Sequence, residues 1–196
     1  MNYLAHLYLA KKNADSYYGN LLGDFQRGID TRSLPATVQN GLANHILVDK
    51  FTDQHTLVKQ SQTLFSAKRR RFSGIALDVF YDHLLIKNWN EFSALPFETF
   101  KTQSYSLLEQ RLPTMHQSMQ QVVDKLITGD WFSSYQTLDG TIRAIDNIAN
   151  RVRFKHEFKG IGEELTQHYD ELEQLFLLYF PELINHVANH GLENQN

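Results

Sequence analysis

The chain contains no cysteine. That excludes disulfides, thiolate zinc sites and cysteine nucleophiles, and it suits a reducing cytoplasm, the compartment expected here. Proline and glycine are sparse, four and ten in 196 residues. Alternating strand-like runs are scarce as well, so no sheet is expected. No segment stays free of charge for the length a membrane span needs. The opening MNYLAHLYLAKKN is apolar but brief, and its basic residues follow the apolar part, the reverse of a secretory signal. No one charge dominates: 19 Lys and Arg face 22 Asp and Glu, a net charge of -3. This gives no global drive toward nucleic acid or a membrane surface.

What is present is helical periodicity over long segments. The expectation is an all-α, single-domain helical bundle over residues 1–196, long enough to bury a large core. Helices are expected over 2–10, 15–28, from Pro35 to about Asp53, 57–70, and from Gly74 through Trp89. Further helices are expected over 97–111, 117–128, 141–153, 163–179 and 182–190, with turns at Gly129, Gly140 and 160–162. The tail from Gly191 to Asn196 is expected to fray.

The stretch GIALDVFYDHLLIKNW, Gly74 to Trp89, is apolar on most sides, so its helix belongs in the core. Asp78 and Asp82 stand four residues apart on one face of it, and His83 follows. Burying two carboxylates and an imidazole is costly without partners. Either they face solvent on one edge or they hold a cation. The third expected helix, from Pro35 to about Asp53, carries His45, Asp49 and Asp53 at successive spacings of four, and each such step drifts only about 40° around the axis. Asp24 sits between apolar residues in GNLLGDF, and His6 lies in the opening apolar helix. Such a set of acids converging without a cation would repel. An oxygen-rich set with some nitrogen suits Mn²⁺, Mg²⁺ or Fe²⁺ better than a structural zinc site. His55, His116, His156, His168, His186 and His190 lie in polar surroundings and read as surface residues.

From Gln54 to Leu77 there is no acid, and Lys68, Arg69, Arg70 and Arg71 crowd its end. The run fits either a solvated helix end or a landing site for an acidic partner. Arg143, Arg151 and Arg153 form a second group, suited to clamping phosphate oxygens or to pairing with surface acids.

Four blocks, MNYLAHLYLA, GNLLGDFQRG, the region of Asp49-x-x-Thr52-Asp53, and LDVFYDHLL with a tryptophan soon after, resemble the acyl carrier protein phosphodiesterases in that family's order. The resemblance spans residues 1 to about 89. Beyond, it rests on length, helical character and the arginines near 151. It implies an all-helical, HD-domain-like phosphohydrolase that uses Mn²⁺. The implied substrate is holo-acyl carrier protein, from whose serine 4′-phosphopantetheine is hydrolysed. It further implies metal ligands at His6, His45, Asp49, Asp53 and Asp78, and catalytic roles for Asp24, Asp82 and His83, with Asp24 and Asp82 both open as the base. Where the family's pattern carries a basic residue after the second-block histidine, this chain has Ile46. Rival readings are an HD-like enzyme acting on a nucleotide or small phosphoester, and a helical protein that binds acyl carrier protein without chemistry.

Overall fold

A computed structural model describes residues 1–194. Among them the chain is all-α, with no strand and with twelve α-helices. In order they are α1 (Tyr3–Leu9), α2 (Ala14–Leu22), α3 (Ala36–Gln54), α4 (Thr56–Thr63), α5 (Ser73–Lys87) and α6 (Trp89–Phe92), then α7 (Phe97–Glu109), α8 (Gln117–Thr128), α9 (Trp131–Ser134), α10 (Leu138–Ala149), α11 (Ile161–Gln167) and α12 (Tyr169–His190).

Two helices are interior. Leu4, Ala5, His6 and Leu7 leave α1 with no solvent face over its middle, and α5 buries every residue from Val79 to Leu85. A helix apolar all round has only the core to go to. α2 and α3 meet at unusually short range. A Cβ added at Gly19 would lie 2.2 Å from the Val38 carbonyl oxygen and 2.9 Å from the Gly41 Cα, so only glycine admits this approach. α12 closes the fold across α3, α4 and α5, its Tyr179 hydroxyl 2.6 Å from the Thr52 hydroxyl of α3.

Several boundaries differ from expectation. α2 stops at Leu22 and passes into a 3₁₀ turn over Gly23–Phe25. The polar helix ends at Thr63, well short of residue 70. α10 begins at Leu138, because the Thr137 hydroxyl accepts the Gly140 N–H and caps it, so Gly140 lies inside the helix. The expected break before Glu182 is absent: α12 runs through Pro181, where Phe176, Tyr179, Phe180 and Leu183 are buried in the core. The tail, expected to fray from Gly191, carries a regular element as far as Asn194. A 3₁₀ turn there brings Glu193 to the Lys11 N–H at 2.8 Å. Residues 195–196 lie outside the described residues.

Candidate metal centre

The site starts from the α2–α3 contact. One turn beyond Gly19, Gly23 leaves the space that the His45 ring occupies; a Cβ there would lie 2.0 Å from the ring Cδ2. His45 Nδ1 is 2.7 Å from the Asn20 carbonyl oxygen. A carbonyl only accepts, so Nδ1 carries a proton and Nε2 is left to face Asp49 Oδ2 at 2.9 Å, one turn along α3. His6 reaches the same carboxylate from α1, its Nε2 3.2 Å from Asp49 Oδ1, and its ring stacks on His45 with centroids 4.0 Å apart. The approach does not make a hydrogen bond, and neither His6 nitrogen has a hydrogen-bond partner among the described residues although both are buried. The Met1 amino group lies 3.3 Å from Asp49 Oδ1 and 3.0 Å from Asp78 Oδ1, a positive charge set between two carboxylates.

Asp24, on the 3₁₀ turn, and Asp53, at the end of α3, line the open side with Asp49 in a cleft of about 420 Å³. Lost hydration raises the Asp24 carboxyl above its ordinary value, and the Asp49 and Asp78 charges add to this against His45 and the Met1 ammonium. Asp53 is raised by the same lost hydration and the same two neighbours. Burial also works upward on Asp49, but the His45 and His6 nitrogens and the Met1 charge hold it far below the usual carboxylate range. Burial alone would lower His45; the Asp49 contact and the Asp49 and Asp24 charges raise it instead. His6 is pushed down to about 4, chiefly by burial.

The donor set fits a divalent cation. His6, His45 and Asp49 are the one group among the described residues whose ligand atoms all lie within 4.8 Å of one another. Two fixed imidazoles with carboxylates form the nitrogen–oxygen set that first-row divalent ions favour. The Asn20 carbonyl supplies the outer hydrogen bond that orients a ligating histidine. An orphaned buried imidazole is rare in folded proteins, and a cation beside Asp49 would give His6 its partner.

Other expected residues fall elsewhere. Asp82, expected to act chemically, is fully buried and accepts from the Ala5 N–H at 2.9 Å, the Leu4 N–H at 3.0 Å and the Asn2 side chain at 3.0 Å. It holds the first turn of α1, whose N–H groups have no intrahelical partner. His83 is not in the site: its Nδ1 meets the Tyr135 carbonyl at 2.8 Å and its Nε2 the Tyr169 hydroxyl at 2.9 Å. The basic run is partly committed within the fold. Arg69 binds Glu164 at 2.9 Å and the carbonyls of Glu157 and Lys159 at 3.1 Å, while Arg70 binds the carbonyls of Thr63 and Phe65. Arg71 stacks over Phe72, and Lys68 is exposed. Arg143 and Arg151 line a second cavity with Tyr3, Trp131 and Asn147, and Arg153 is exposed outside it. Sequence reasoning missed Gly23, Asn20 and Tyr3. The Gly19-x-x-x-Gly23 spacing was the available signal for a close helix approach.

The sequence profile described as acyl carrier protein phosphodiesterase matches residues 1–183, so the chain belongs to that family of phosphodiester hydrolases. Relatives carrying the same name include the Enterobacter sp. (strain 638) protein, 32% identical over 98% of this chain and 100% of its own. The Yersinia pestis protein is 35% identical over 96% of this chain and 98% of its own. No solved structure matches. No helix among the described residues is long and apolar enough to cross a membrane.

Proposed function

We propose that this chain hydrolyses the phosphodiester joining 4′-phosphopantetheine to the serine of holo-acyl carrier protein. The cation it uses is Mn²⁺, with Mg²⁺ or Fe²⁺ as substitutes. The observation that carries the reading is the His6–His45–Asp49 cluster, with its oriented His45 and unpartnered His6, facing an open acidic cleft. Family membership supplies the substrate class. His6, His45, Asp49 and Asp78 would hold the ion, with Asp53 at the rim. When bound, a divalent cation supplies Lewis acidity toward the phosphoryl group and acidity to the attacking water.

The chain's own residues do the rest. Gly23 and Asn20 fix the His45 ring. Asp24 stands on the cleft with a carboxyl raised by lost hydration, which suits it to take the proton of the attacking water. The water oxygen joins phosphorus, the bond from phosphorus to the serine oxygen breaks, and that oxygen leaves with a proton. Asp82 acts only by positioning α1 and hence His6. Such a reaction belongs in the cytoplasm beside its carrier substrate.

The test is the mass of holo-acyl carrier protein after incubation with purified protein and Mn²⁺. The carrier should lose its prosthetic group, a chelator should stop the loss, and a nucleotide panel should be turned over far more slowly. A carrier mass unchanged with Mn²⁺, Mg²⁺ and Fe²⁺ alike sinks the reading, whether the protein binds the carrier or not.

A further inference from the structure

The cavity beside α10 is separate from the cleft that Asp24, Asp49 and Asp53 line, yet its inner wall is one residue away from the acid cluster. Asn2 follows Met1 and Val79 follows Asp78, and on a helix consecutive side chains turn about 100° apart. Tyr3 lines the cavity, its ring beside Trp131. Burial raises its phenol most, with Asp24 raising it further and Arg151 lowering it, so the hydroxyl lies within the field of an acid of the cluster and a guanidinium of the cavity. Arg143, Asn147 and Arg151 succeed one another at spacings of four along the exposed side of α10 and its end. Neither arginine has a carboxylate within ion-pair distance among the described residues, in contrast to Arg69 and Arg111. The Trp131 indole N–H and the Asn147 side chain also have no hydrogen-bond partner there. The floor is apolar: Val79 is buried, Ala144 and Ile148 partly so, and Trp131 packs near Tyr3 with centroids 6.3 Å apart.

We propose that this cavity seats the pantetheine arm, its phosphate end toward Tyr3 and Arg151 and its chain along Trp131 and Asn147. The proposal rests on the reaction given above and adds the place where its substrate is recognised. The volume, about 360 Å³, is at the small end of ligand pockets and suits one extended organic chain. Pantetheine carries two amides and a hydroxyl on a partly apolar chain. Such a body needs donors and acceptors side by side over apolar walls, and Asn2, Asn147 and Trp131 supply them over Val79, Ala144 and Ile148. Two unpaired guanidinia supply the counter-charge for a phosphate. Asn2 also ties the wall to α1 through its bond to Asp82, so the cavity and His6 are positioned by one element.

The test titrates the full chain, without added metal, with free 4′-phosphopantetheine, pantetheine and inorganic phosphate. Of the two tryptophans, Trp89 is buried against Phe97 and Phe100, so Trp89→Phe leaves Trp131 as the fluorescent reporter. The phosphorylated arm should bind and shift the Trp131 emission. Pantetheine should bind about tenfold more weakly, the scale of one lost charge-assisted contact. Arg151→Gln should weaken the phosphorylated arm about tenfold and leave pantetheine unchanged, a split that misfolding would not produce. Ala144→Phe should weaken both arms by calorimetry and leave phosphate alone. The assignment is overturned if the arm fails to bind, if it binds no better than phosphate, or if Ala144→Phe folds and binds it normally. Loss of arm binding with hydrolysis of the holo-carrier intact removes the cavity and spares the reaction; arm binding without hydrolysis under any metal does the reverse.

Discussion

Asp78 and Asp82 sit one turn apart on α5, both facing the start of α1, and they serve opposite ends. Asp78 keeps 41% of its side-chain surface and, among the described residues, pairs with the Met1 ammonium alone, at the open end of the α1–α5 contact. Asp82 has no exposed surface and three donors, two of them backbone N–H groups. The first is free to take a ligand. The second is consumed in building the helix that carries His6. A D-x-x-x-D spacing therefore fixes a shared face and says nothing of what the neighbouring element brings to each turn.

The sharpest way to break this contrast is at the cluster itself. Asp49→Ala removes the one carboxylate that both imidazoles and the ammonium share. Hydrolysis of holo-carrier should fall by on the order of a hundredfold or more, with metal binding by calorimetry lost in parallel. Normal turnover by this variant would detach the reaction from the cluster.

Next come the two acids of α5. Asp82→Ala leaves two buried N–H groups of α1 without acceptors, a cost of about 2–4 kcal/mol, and should lower the melting temperature by roughly 5–15 °C. Asp78→Ala should leave the melting temperature of the metal-free protein unchanged or raise it, because it thins a crowd of like charges, and should weaken metal binding. Equal melting shifts in the two variants would erase the distinction.

The arginines repeat the contrast at a smaller scale. Arg69→Glu breaks a largely buried ion pair and two carbonyl bonds that hold residues 157–164 against the start of α5. It should destabilise by about 2–4 kcal/mol. Arg153→Glu touches no partner among the described residues, and should keep the melting temperature while raising KM for the acidic carrier a few-fold at low salt. Hydrolysis of a small generic phosphodiester should not change. A melting loss for Arg153→Glu, or none for Arg69→Glu, would invert the assignment.

The last contrast is in pH. Burial pushes Asp82 up to about 7 from 3.8, against the hydrogen bonds from Ala5, Leu4 and Asn2. Between those values the folded protein holds a proton that the unfolded chain has released, so this group's contribution to stability is present at low pH and falls as pH rises through about 7. His6, lowered to about 4, acts in the opposite sense below 6.5, so the effect is read as a difference. The stability margin of wild type over Asp82→Asn should shrink from pH 4 to pH 7. A margin that grows over that range would reverse the sign of the Asp82 shift.

The helical class and the His45–Asp49 pair were legible because both are local: the period of the apolar residues and the i, i+4 geometry are carried within one helix. Asp24, singled out from its apolar neighbours in sequence, lies exposed on the 3₁₀ turn that lines the cleft. The role of Asp82 was not legible, because it depends on two backbone groups nearly eighty residues away. Nor was that of Arg69, whose partners arrive from residues 157–164. His83 carried the look of a ligand because of its neighbours in the sequence, but the Tyr135 carbonyl and the Tyr169 hydroxyl decide its role. Pro181 misled in the other direction: its missing donor weakens α12 locally, and the buried aromatic residues around it outweigh that cost.

The turn that carries Glu193 links the far end of the chain to the centre. Glu193 accepts from the Lys11 N–H at 2.8 Å and from the Asn20 side chain at 3.3 Å, and Asn20 in turn accepts from Asn44 at 3.0 Å while its own carbonyl orients His45. Asn20 and two hydrogen bonds, one to Glu193 and one to His45, thus form a relay from the last described turn to the His45 imidazole. Clipping the chain after His190 would leave every helix in place and slacken that relay. Deuterium uptake at the Lys11 amide would register the slack before any loss of helix content appeared.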